Sequence, residues 1–197
     1  MIKKQSEYYE LLKIADEKKL MGLHDEAIAI CEAILVGDLE CAEAFEEIGD
    51  NYLSLREFDK AIKALKQAIE INPFSANARY LLGFTYSAMS EWDNSIDELE
   101  LADQMEPNHP EILRCLGWSI YHAGRKTQGL SILERASNMA DDDVLILCDL
   151  GVCYLNSRDF DAAAHIFEVV LGLDPENDKA MECLKACSYF KDKLEIE

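Results

Sequence analysis

The side chains able to do covalent or metal chemistry are scattered along this sequence. Cys183 and Cys187 stand four apart and Cys148 five before Cys153. Neither pair has the CxxC or Cys/His spacing of a zinc site. With Cys31, Cys41 and Cys115 they make an odd set of seven, and as small hydrophobes they fit core positions better than reactive ones. His24, His109, His122 and His165 are isolated from one another. Asp141, Asp142 and Asp143 read as a solvated turn or a helix N-terminus, where carboxylates favour the positive dipole end. A calcium loop would need more oxygen ligands. There is no glycine-rich phosphate loop and no serine-nucleophile motif. We therefore expect no catalytic residue, no metal, no cofactor and no enzymatic activity. What remains is non-covalent recognition by aromatic and carboxylate side chains that recur at regular spacing.

That spacing comes from a repeat. Gly49, Gly83, Gly117 and Gly151 stand 34 residues apart, each behind Ile48, Leu82, Leu116 or Leu150. Tyr52, Tyr86 and Tyr154 keep the same beat, with Ile120 in the gap. Pro73, Pro107 and Pro175 keep it too, the last after a double step across Asp141. A fixed period of this length means stacked helix–turn–helix units. Five units fall at residues 8–41, 42–75, 76–109, 110–143 and 144–177, with a capping helix over 178–191.

The first unit is the loosest copy, with Ala15, Lys18 and Leu39 in place of the glycine, tyrosine and proline. Terminal repeats are atypical because one face lacks a neighbour. Among the remaining units the fourth departs most, because Gly129 sits where its siblings carry Ala61, Ser95 and Ala163. Glycine inside a helix costs roughly 0.5–1 kcal/mol relative to alanine, so that second helix is expected to be the least stable segment. In the last helix Met181, Leu184 and Cys187 are placed to close the final apolar face.

Composition sets the partners. Nineteen basic against 39 acidic residues give a net charge of −20, which repels nucleic acid and anionic membrane surfaces at long range. The first residues, MIKKQSEYYELLK, lack the apolar stretch of a signal peptide, and no run approaches a membrane span. Cysteine usage fits a reducing cytoplasm.

Phe45, Ile48, Gly49, Tyr52, Ala61, Leu65, Ala68 and Pro73 together carry a motif that resembles the tetratricopeptide repeat (TPR) family. The resemblance covers residue 8 to about 191. It implies an all-α solenoid of antiparallel helix pairs in a right-handed superhelix, with a concave groove lined by each unit's first helix. It also implies protein or peptide binding far more often than catalysis, and a homo-oligomer is left open.

Helical geometry locates the groove face. In the third unit Leu82, Gly83 and Tyr86 share the packed side, and Tyr80, Leu81 and Phe84 lie opposite. The equivalents are Arg114, Trp118, Tyr121 and His122 in the fourth unit, and Glu43, Glu46, Glu47 and Asp50 in the second. The fifth contributes Leu145, Val152 and Leu155, which the last helix is equally placed to cover. The face thus runs from carboxylates to aromatics. Large apolar groups on an exposed face mark an interaction site. The expected ligand is an apolar protein segment with a basic flank. The carboxylate clamp of TPR co-chaperones needs a Lys and an Asn one turn apart, and none of the pairs Leu12/Asp16, Glu46/Asp50 or Tyr80/Phe84 supplies it. Two functions remain: a cytoplasmic adaptor or scaffold, or a dedicated chaperone for secreted or membrane-inserting clients, resembling the TPR chaperones of type III secretion.

Overall fold

The structure, a computed structural model, describes residues 2–194. Among the described residues there are eleven helices and no strand: α1 Ile2–Leu20, α2 His24–Gly37, α3 Ala42–Ser54, α4 Phe58–Ile71, α5 Ala76–Ala88, α6 Trp92–Met105, α7 Pro110–His122, α8 Lys126–Met139, α9 Val144–Asn156, α10 Phe160–Leu173 and α11 Asp178–Leu194. From α3 onward every first helix of a pair starts on the 34-residue beat. The chain is an all-α helical-repeat solenoid.

The boundaries follow from local chemistry. Each first helix of a pair is stopped by one residue in the left-handed region: Gly22, Arg56, Ser90, Gly124 and Arg158, again 34 apart. The next N–H reaches back five residues, as in Glu57 N to Tyr52 O at 2.8 Å and Asp159 N to Tyr154 O at 3.0 Å. These bonds satisfy carbonyls that a helix end leaves open. Ser75 caps α5 through Ala78 N, and Asp143 caps α9 through Leu145 N and Ile146 N. The acidic turn is thus a helix N-terminus. Pro110 opens α7, where its missing N–H costs nothing.

The chain divides between Glu106 and Pro107 into two compact units. In the first, Ala15, Cys31, Ile34 and Ile48 pack α1, α2 and α3 together, and Leu65, Leu82 and Tyr86 join α4 to α5. A Cβ on Gly49 would meet Leu65 Cγ at 2.5 Å, so the glycine is what lets α3 and α4 approach. In the second unit, Leu113, Ala136 and Ile146 form one cluster, and Leu147, Phe167, Val170, Ala180 and Cys187 form another.

Three expectations change. First, α1 begins at Ile2, ahead of the first repeat position. Second, Gly129 is fixed by sterics: a Cβ there would meet Tyr121 N at 2.6 Å and Gly117 O at 2.7 Å. The α7 and α8 backbones touch at this point, so glycine is what permits the packing. Third, α11 runs on to Leu194 and closes the last face with Ala180, Cys183, Leu184 and Cys187, while Met181 lies outside that cluster. Its Phe190 stacks on Phe160 at 5.8 Å. At the glycine beat α11 carries Lys185, which is exposed. All seven cysteines are free, and Cys31, Cys115, Cys153 and Cys187 are buried.

Candidate interaction surface

In the first compact unit the inner carboxylates are engaged from within. Lys19, at the end of α1, places its ammonium 3.0 Å from Glu47, 2.9 Å from Asp50 and 3.1 Å from Asp16. Burial works to lower the Lys19 pKa, but the bonds and charges of Asp50 and Glu47 outweigh it and hold it above the ordinary lysine value. Burial pushes Glu47 up despite this partner. Glu46 accepts hydrogen bonds from Ser75 Oγ at 2.6 Å and Asn77 Nδ2 at 2.7 Å. Since Ser75 Oγ also accepts from Ala78 N, Glu46 ties α3 to the cap of α5. The expectation that Glu46, Glu47 and Asp50 stand ready for a ligand's basic flank is therefore corrected, because each bridges to an adjacent helix. Glu43 remains exposed at the start of α3.

On α5, Tyr80 and Phe84 stack with ring centroids 6.2 Å apart, both half-buried. Leu81 is buried in the cluster with Leu65 and Leu82, so it cannot line an open face.

In the second compact unit a cation from another repeat position, Arg114, does the bridging. Its Nε and Nη2 donate to Glu111 and its Nη1 to Asp149 on α9, at 2.5–2.8 Å. Burial opposes this charge, yet the partners raise it further above its usual range; Asp149 is pushed up by its own burial. Trp118 is half-buried, its ring 4.3 Å from His122. His122 is lowered by burial, with Asp149 pulling the other way. Tyr121 is 3% exposed, and its hydroxyl donates to Cys153 O at 2.9 Å and lies 2.9 Å from Ser157 Oγ. Tyr121 is thus a buried strut between α7 and α9 and not a groove anchor. Val152 and Leu155 pack into the cluster that α11 closes, while Leu145 stays exposed. Among the described residues, no group of three or more His, Cys, Asp and Glu is placed to hold a metal ion.

Sequence reasoning missed Lys19. Its place in the first unit is that of Leu53, Ser87, Tyr121 and Leu155 in the others. Extending the inner-face frame to the first unit would have found it.

Stacked helix pairs whose first helices present a row of side chains define a protein–protein interaction scaffold. The chain carries tetratricopeptide repeats: residues 49–90 match a TPR repeat and residues 145–177 a tetratricopeptide repeat. No curated protein matches it. Among solved structures it is similar to pilF of Pseudomonas aeruginosa (12% identity, 96% of this chain and 87% of that one, TM-score 0.83). It is also similar to PilW, a type IV pilus biogenesis factor (18%, 96% and 93%, TM-score 0.81). A third, YrrB, is a TPR protein with an unusual peptide-binding site (16%, 89% and 90%, TM-score 0.69). At these identities the likeness is one of fold.

Proposed function

We propose that the chain is a non-catalytic adaptor that holds an apolar protein segment with a basic flank on its inner faces. The observation that carries this reading is a half-buried aromatic platform within each compact unit taken by itself, Tyr80–Phe84 on α5 of the first and Trp118–His122 on α7 of the second. Each is braced by an ion network that ties its helix, or the helix beside it, to a neighbour. Such bracing presents rings at little cost in ordering on binding. The acidic balance supports the basic flank: 39 acidic residues stand against 19 basic ones, a net charge of −20. A reducing, cytoplasmic setting fits the free thiols. Burial, then Glu47, pushes Cys31 up to about 12; burial, then Asp149, does the same to Cys153. Both are inert as nucleophiles at neutral pH.

A peptide library screened against wild type, Phe84→Ala and Trp118→Ala tests the reading. Burying one large apolar side chain is worth about 1.5–3 kcal/mol, so each variant should bind at least tenfold more weakly. Acidic binders, or variants that bind as wild type does, overturn it. Capture of one long unfolded client in place of short peptides would favour the secretion-chaperone alternative.

A further inference from the structure

With Glu46, Glu47 and Asp50 committed to other helices, the place for a basic flank must lie elsewhere. An open cleft of about 760 Å³ lies between α1, the α2–α3 turn and the start of α3. Tyr8, Tyr9 and Leu12 give it an apolar wall, and Tyr9 is 69% exposed. Asp16, Asp38, Glu40 and Glu43 contribute four carboxylates; Asp16 is already paired with Lys19 at 3.1 Å, which leaves three against the ammonium of Lys13. Asp38 Oδ1 accepts from Glu40 N at 3.1 Å, which holds the turn in place.

We propose that this cleft receives an arginine or lysine side chain of the bound protein segment. The chemistry follows from the lining. Long basic side chains bury an aliphatic stem while keeping the charged head among polar groups. Here the stem lies along Leu12 and the Tyr9 ring, whose face also attracts a cation. The head sits among the carboxylates, which outnumber the resident ammonium. An acidic segment would be repelled and a purely apolar one would leave the carboxylates desolvated and unpaired, so charge complementarity selects a basic occupant. Burial, together with the Glu43 and Asp38 charges, keeps the neighbouring Cys41 thiol up, consistent with a negative field in the cleft. The inference rests on the adaptor reading above and assigns its basic flank a site.

Titration of the ¹⁵N-labelled full chain with Nα-acetyl-arginine amide, and separately with Nα-acetyl-citrulline amide, tests it by NMR. The two probes share a shape and differ in charge. Arginine amide should shift the Tyr9, Leu12 and Glu43 amides at least tenfold more tightly than citrulline amide. In Glu40→Gln/Glu43→Gln, two exposed positions, the arginine affinity should fall at least fivefold while the thermal melt stays in place. Equal binding of both probes, shifts spread evenly over the acidic surface, or an unchanged double variant overturns the proposal. If library peptides bind at Phe84 and Trp118 while the amide does not, the cleft assignment fails alone. If the amide binds and no peptide does, the adaptor reading fails and the cleft stands.

Discussion

The helix pairs α3/α4 and α7/α8 occupy equivalent places in the repeat but close by different contacts. In α3/α4 the glycine of the first helix faces a side chain, Leu65, and Ala61 opposite it is fully buried. In α7/α8 both helices carry glycine, and Gly129 faces the Tyr121 and Gly117 backbone. The outer brace of α3 is an ammonium shared by three carboxylates, whereas α7 supplies a guanidinium fork. The left-handed residue in the turn is Arg56 in one pair and Gly124 in the other. One repeat geometry therefore tolerates several local solutions, each with its own sensitivity to change.

The largest effect lies at the glycines. Gly129→Ala should cost about 3 kcal/mol, because overpacking against backbone has no rotamer to relieve it. Gly49→Ala should cost less, about 2 kcal/mol, since the buried Leu65 side chain must repack but no backbone has to move. Urea unfolding of the two variants checks this, and a neutral or stabilising Gly129→Ala would leave only helix propensity at work. Swapping the braces gives the next effect. Arg114→Lys removes a fork that serves Glu111 and Asp149 together and should cost about 1.5 kcal/mol. Lys19→Arg keeps the charge among its three partners and should stay within about 0.5 kcal/mol. Equal losses in calorimetry would erase the distinction. The turns give the smallest effect. Arg56→Gly should stabilise by about 0.5–1 kcal/mol by relieving a left-handed side chain, and Gly124→Ala should cost about 1 kcal/mol. If Arg56→Gly destabilises, its ring contact with Phe58 at 5.8 Å outweighs the backbone strain.

The repeat phase was legible because it is one-dimensional: the helix starts at Ala42, Ala76, Pro110, Val144 and Asp178 lie on the beat of the glycines. The inner face was legible only in part. A helical wheel divides a helix into two sides, but first helices here pack against their own partner, the second helix of the preceding pair and a neighbouring first helix, as α3 does against α4, α2 and α1. Leu81 and Tyr121 fall on the flanking side and are buried. The Lys19–Glu47 and Arg114–Asp149 bridges span 28 and 35 residues, beyond any single-helix pattern. The close backbone contact at Gly129 was not legible, because propensity counts a glycine's cost within its own helix and not the backbone it admits alongside.

The buried cysteines carry a consequence of a different kind. Cys31, Cys115, Cys153 and Cys187 sit in α2, α7, α9 and α11, all at 2% exposure or less. An alkylating reagent meets a thiolate there only when the surrounding helices open. The chain thus comes with stopwatches at four stations along its length, and their labelling rates would report which helix pair breathes first.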